Sequence, residues 1–261
     1  MILYPICSSS RGNCLYISGK RGGILVDAGF GVRNLFTYLK NAQISPIGIK
    51  SIFITHEHID HTLGLYSITK NLCVSIFSSK ETLKCLVSKG RIHPSSKLYE
   101  IDSKKVCVCG LEIGAFKTPH DCARSLGFCI FDGQKKLSIC TDAGHITDEM
   151  KQNLKGSTLV FLESNYDRQM LLNSHYPYYI KKRIESKLGH LSNDDATEFI
   201  KYLIDHNVKK FILGHLSQNN NTPEVAFQTA TSRLLKSKLK INQDYSLNIA
   251  PVRNPDKIYE V

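Results

Sequence analysis

The chain has 261 residues, with 42% hydrophobic and 22% charged, the balance of a globular protein rather than a disordered or fibrous one. No stretch approaches the roughly 20 consecutive apolar residues of a membrane-spanning helix, so a helical membrane protein is excluded. A net charge of +11 points to a polyanionic partner such as nucleic acid, the alternative being a solvated lysine surface.

From Met1 to Tyr4 the chain shows no basic segment, apolar run and cleavage site of a secretory signal, so a cytoplasmic location is expected. Cys7-Ser8-Ser9-Ser10-Arg11-Gly12-Asn13 follows. This serine-rich turn suits either a phosphate cradle, with Ser8, Ser9, Ser10 and Asn13 as contacts, or an ordinary loop. Short apolar, β-branched runs at 23–26, 51–54, 74–77, 111–116, 128–131, 137–140, 159–162 and 210–213 predict strands. A helix is expected to begin near Ser79, with Leu83, Leu86 and Val87 on one face and Gly90 as its stop. Over 193–206 a second has Ala196, Phe199, Ile200, Leu203 and Ile204 on one face behind a Ser192 cap, and Thr222-Pro223-Glu224 opens a third.

Nine cysteines, an odd number, read as reduced and buried small hydrophobes. Cys107 and Cys109 alternate with Val106 and Val108, as in a strand rather than a metal-binding pair. There is no low-complexity linker and no repeat period. The expectation is one mixed α/β domain over 1–261, with two sheets packed together and helices outside.

Thr55-His56-Glu57-His58-Ile59-Asp60-His61 directly follows a predicted strand and carries four potential ligands: His56, His58, Asp60 and His61. In an extended or tightly turned segment His56 and His58 point to one side, leaving Asp60 and His61 for an adjacent position, so a single turn can serve two metal ions. Imidazole and carboxylate suit zinc, manganese or iron. The same event recurs along the chain, with Asp27, His120, Asp142, Glu163 and His215 each just beyond an apolar run. One such residue is ordinarily a turn former. Several together fit one site, because strand ends converge at one edge of a layered α/β fold.

Asp27, the 56–61 segment, His120, Asp142 and His215 resemble the five ordered motifs of the metallo-β-lactamase superfamily. The resemblance implies an α/β, four-layer αββα sandwich holding two divalent metal ions, zinc or manganese. By it, His56, His58 and His120 hold one ion, Asp60, His61 and His215 the other, and Asp142 bridges them. Asp27 would fix the tautomer of a ligand histidine from behind.

Leu162-Glu163-Ser164-Asn165-Tyr166 and Gly189-His190-Leu191-Ser192 resemble segments of the nuclease RNase Z that carry a glutamate and its partner histidine. With the 7–13 segment and Gly214-His215-Leu216-Ser217-Gln218-Asn219-Asn220-Asn221-Thr222-Pro223-Glu224, they resemble the WalJ/YycJ family of bacterial DNA exonucleases. That resemblance implies a DNA phosphodiesterase running 5′ to 3′, with Asp60 orienting the nucleophile and Glu163 orienting His190 as general acid. Lys181, Lys182 and Arg183 would contact the DNA backbone or, alternatively, form a solvated helix face. The stretch from Asp142 to His215 is too short for a large inserted nuclease domain, and no Gly/Pro-rich tRNA-gripping arm is present. His145 matches no ligand of the superfamily. An RNase Z-like RNA endonuclease, a small-molecule hydrolase and a non-enzymatic nucleic-acid-binding subunit stand as alternatives, with oligomeric state open.

Overall fold

The computed structural model describes residues 1–102, 104–254 and 256–261. The first sheet is built from β1 (Ile2–Ser9), β2 (Gly12–Gly19), β3 (Gly22–Val26), β4 (Ile49–Phe53), β5 (Ser75–Ser78) and β6 (Lys97–Glu100). The second takes β7 (Val106–Val108), β8 (Leu111–Lys117), β9 (Leu126–Phe131), β10 (Lys136–Cys140), β11 (Leu159–Glu163), β12 (Lys210–Gly214) and β13 (Ser246–Ile249). The last strand, β14 (Tyr259–Glu260), returns to the first sheet beside β1.

Alternation of side chains creates the layers. Leu3, Ile24 and Phe53 meet Phe128, Leu159 and Phe161 in a core between the sheets. Their neighbours Tyr4, Leu25 and Ile52 face the opposite way. There they pack against α1 (Val32–Asn41), with α2 (Ile59–Thr62), α3 (Leu65–Asn71) and α4 (Lys80–Ser88) completing the helices of that half. Val160 and Leu162 point outward from the second sheet, beside α5 (Asp148–Leu154). Beyond α6 (Arg168–Asn173) and α7 (Tyr178–Glu185), that outer layer also takes α8 (Asn193–Ile204) and α9 (Pro223–Lys236). The order is therefore α, β, β, α. Strands buried on both faces read as continuous apolar runs, which is why the sequence marks them.

Parallel pairing positions the site. β3 to β6 run parallel in one sheet and β10 to β13 in the other. The carboxyl ends of β3, β4, β10, β11 and β12 consequently release Asp27, His56, Asp142, Glu163 and His215 at one edge of the sandwich.

Three expectations need correction. The 7–13 segment is a hairpin in which Ser8 and Ser9 belong to β1 and Asn13 to β2, leaving Ser10 and Arg11 as the turn. All nine cysteines are unpaired, but only Cys7, Cys14 and Cys140 are buried, while Cys73 and Cys107 are exposed. Val87 is solvent-facing, because α4 packs through Leu83 and Leu86 alone on that stripe. Ser192 and Thr222, where helix starts are expected, and Ser79, near which another is expected to begin, each accept a hydrogen bond from a first-turn N–H. Among the described residues no helix is long and apolar enough to cross a membrane.

Candidate metal centre

Asp27, Asp142 and His215 all have positive φ, at 62°, 55° and 54°. Left-handed backbone is uncommon for residues other than glycine and persists where surrounding bonds over-determine it. Here those bonds are visible: the Asp27 N–H donates to Phe53 O at 2.8 Å, and the His215 N–H to Ser8 Oγ at 2.8 Å. The Ala143 N–H beside Asp142 donates to Glu163 Oε2 at 2.9 Å. A sharp turn at each strand end thus aims the side chain at the site. Gly29 serves the same end, since a Cβ there would collide with the carbonyl of Asp60.

The donor atoms of His56, His58 and His120 lie within 4.8 Å of one another, and so do those of Asp60, His61 and His215. Asp142 stands between the groups, with its carboxylate 3.2 Å from His61 Nε2, 3.5 Å from His215 Nε2 and 3.7 Å from His120 Nε2. The candidate ligand rings are pinned from behind. His61 Nδ1–H donates to Asp27 at 2.7 Å, His120 Nδ1–H to Gly189 O at 3.1 Å and His215 Nδ1–H to Glu163 at 3.0 Å. His56 Nδ1 lies 3.0 Å from the Thr55 hydroxyl, itself held by Asp27. Each of these four rings therefore turns Nε2 inward, the arrangement by which carboxylates and carbonyls orient metal-binding histidines.

Two buried atoms test the fit to a metal. His56 Nε2 has no hydrogen-bond partner among the described residues, and Asp142 Oδ2 makes no hydrogen bond of good geometry despite its 3.2 Å approach to His61 Nε2, a costly state unless a cation occupies the centre. Electrostatics agree. Burial, then His61, His120 and His58, holds the His56 imidazole well below its ordinary range, in the neutral form that a metal ligand requires. Burial also opposes charge on His61 and His215, yet carboxylates outweigh it: Asp27, Asp142 and Asp60 raise His61, and mainly Asp142, Asp60 and Glu163 push His215 up to about 10. The positive charge drawn there by protons is what a divalent cation supplies.

Glu163 and His190 adjoin this centre. His190 Nδ1–H donates to Glu163 Oε1 at 2.7 Å, and the same ring lies 3.7 Å from Asp142. Glu163 Oε2 further accepts the N–H groups of Ala143 and Leu191. Burial opposes ionisation of Glu163, but His190 and His215 hold its carboxyl well below the usual range. From the sequence, Glu163 pairs with His190 alone; in the structure it also accepts the His215 Nδ1–H.

A cleft of ≈ 320 Å³ opens over these residues, rimmed by Ser10, Arg11, Tyr176, Ile180, Arg183 and Asn219. Ser8, Ser9 and Asn13 do not face it. All three are buried: Ser8 holds the His215 N–H, while Asn13 reaches the centre itself, its Nδ2 3.1 Å from His61 Nε2 and 3.4 Å from Asp60 Oδ2. Lys181 donates to Leu172 O, Lys182 lies exposed near Glu185, and Arg183 is tied to Asp121, next to His120. His145 is exposed and bonded to Lys187 O, outside the ligand groups. Thr55, Asn165 and Arg11 were missed as site residues. Asn165, which donates to His215 O at 2.9 Å, sits two residues beyond Glu163, a spacing that could have flagged it.

A model of the β-lactamase superfamily domain matches residues 23–216. The chain is 29% identical to exodeoxyribonuclease YycJ of Bacillus anthracis over 257 residues, 98% of this chain and 97% of that protein. The crystal structure of the metallo-β-lactamase fold protein YhfI from Bacillus subtilis matches at a TM-score of 0.75 with 14% identity, covering 99% of each chain. Zinc-bound PqqB from Methylobacterium extorquens matches at 0.73 with 14% identity, covering 100% of each. With that domain match spanning both sheets, and the αββα order observed, the chain belongs to the metallo-β-lactamase superfamily of hydrolases.

Proposed function

We propose that the chain is a metal-dependent phosphodiesterase that degrades DNA as a 5′-to-3′ exonuclease. The observation that carries this reading is the Glu163–His190 pair at 2.7 Å on the edge of the candidate metal centre. A deoxyribose oxygen leaves poorly without a proton, whereas an activated small ester needs none, so a poised acid favours the former substrate. Similarity to an exodeoxyribonuclease over nearly the whole chain and a net charge of +11 support DNA as the polymer.

His56, His58 and His120 would hold one ion and Asp60, His61 and His215 the other, with Asp142 between them; zinc is supported by the PqqB neighbour and manganese is the alternative. Two such ions, when bound, supply Lewis acidity toward phosphate and a more acidic attacking water. Asp60, one-fifth exposed, accepts a hydrogen bond from the attacking water and orients it. Glu163 accepts the His190 Nδ1–H and fixes its ring. Nε2–H then delivers its proton to the departing sugar oxygen. The core shared by the two sheets supports treating 1–261 as one domain.

The test is incubation of the metal-loaded protein with 5′- and 3′-end-labelled DNA and RNA, single-stranded and duplex. Stepwise shortening of DNA from its 5′ end is expected. Internal cuts in RNA alone, or ester hydrolysis with DNA left intact, would reject the proposal.

A further inference from the structure

A helix in a globular fold ordinarily buries one apolar stripe. Helix α7 buries no residue at all. Its half-buried Ile180 and Ile184 face the cleft, while Tyr178 and Tyr179 in its first turn are 74% and 71% exposed. Two adjacent tyrosines left this open, on a helix whose other side lines the candidate active site, need a role that the hydrolytic centre does not provide.

Helical geometry relates them to the cleft. Each residue turns by about 100°, so Ile180, Arg183 and Ile184 share the cleft face, Tyr179 lies on the flank beside Arg183, and Lys182 and Tyr178 follow further round. Arg183 is anchored to Asp121, the neighbour of the proposed ligand His120, which fixes the start of this sweep at the rim. Lys182 Nζ lies 5.5 Å from the centroid of the Tyr178 ring. Its contact with Glu185, 3.4 Å between two groups that both see solvent, is weak and leaves the ammonium available. From the rim outward the surface therefore reads aromatic, cation, aromatic.

We propose that this flank of α7 is a platform for an unpaired stretch of the DNA substrate, with Tyr179 and Tyr178 stacking on bases and Lys182 holding a phosphate between them. The inference rests on the DNA-directed reading above and adds the strand state that the site handles. In a duplex the base faces are already stacked on one another. Exposed rings beside a cation gain contact area only from bases that are free to stack on them, and that gain does not depend on sequence. Continuity with the cleft places such a strand where its terminal phosphates reach the candidate metal centre.

The experiment compares the full chain with a Tyr178→Ala/Tyr179→Ala variant and a Tyr178→Phe/Tyr179→Phe variant. Fluorescence anisotropy reads binding of a labelled phosphorothioate oligothymidylate of about twelve nucleotides and of a blunt duplex of the same length. Hydrolysis of bis(p-nitrophenyl) phosphate reports on the catalytic centre separately. Loss of each stack should raise the single-strand Kd by roughly five- to 150-fold, leaving duplex binding and ester hydrolysis near those of the parent. The phenylalanine pair should bind as the parent does, because stacking uses the ring and not the hydroxyl. An unchanged single-strand Kd in the alanine pair, equal weakening on both DNAs, or a phenylalanine pair as weak as the alanine pair would each overturn the platform. Should the parent cleave DNA while the alanine pair binds as tightly, only the platform falls; should the parent neither bind nor cleave DNA, the DNA-directed reading falls with it.

Discussion

Glu163 accepts hydrogen bonds from the rings of His190 and His215 and from the N–H groups of Ala143 and Leu191. Its replacement thus touches both the proposed acid and a proposed ligand. His190→Ala should keep both metals and lose roughly two to four powers of ten in DNA turnover, with a much smaller loss on a p-nitrophenyl ester. Equal losses on the two substrates, or a metal missing from the variant, would make His190 structural or a ligand. Glu163→Gln should reduce metal content as well as turnover, since a neutral amide cannot serve both rings as the anion does. Elemental analysis beside kcat separates the two variants, and combining them should cost more than His190→Ala alone. The sequence marks both residues because each lies in a recognisable local segment. Glu163's second role was not legible there, because His215 comes 52 residues later and meets it only through the pairing of β11 with β12. Replacing Asp142, the proposed bridge, with alanine should strip metal and activity while far-ultraviolet circular dichroism stays unchanged. Two tightly held ions and normal turnover in that variant would remove Asp142 from the centre.

Among the elements, α7 separates two readings of the same basic run. Lys181 is bonded to a backbone carbonyl and Arg183 to Asp121, leaving Lys182 as the freest cation of the three. Lys182→Ala should flatten the log–log salt dependence of single-strand binding by about 0.7, the value of one lost phosphate contact. A parental slope would mean a solvated face. The strands buried on both sides were legible because their apolar runs are unbroken. The β1–β2 hairpin was not. Its tip has no Asn-Gly or Asp-Gly pair, and the polar Ser8 and Ser9 are buried there because their hydroxyls accept backbone N–H bonds, from His215 and Arg11. β6 gave no pattern either, for all four of its residues are exposed and only its parallel pairing with β5 defines it.

Across the whole molecule, each candidate metal group draws on both halves of the sandwich. His56 and His58 follow a strand of the first sheet and His120 one of the second; Asp60 and His61 likewise meet His215. Bound ions would therefore link the sheets and stabilise the native state in proportion to their occupancy. At a metal concentration about 1,000 times Kd the linkage is worth about 4 kcal/mol, so chelation should lower the thermal midpoint by on the order of 10 °C. A midpoint indifferent to chelator would argue against tight binding in this centre. The same division of ligands sets a timetable for synthesis. A chain growing from its amino end presents His56, His58, Asp60 and His61 long before β12 is complete, and His215 follows only then. Until that histidine leaves the ribosome the second candidate set cannot close, so a nascent chain stalled after β11 would expose a cluster of imidazoles that lacks one of the residues proposed to hold the second ion.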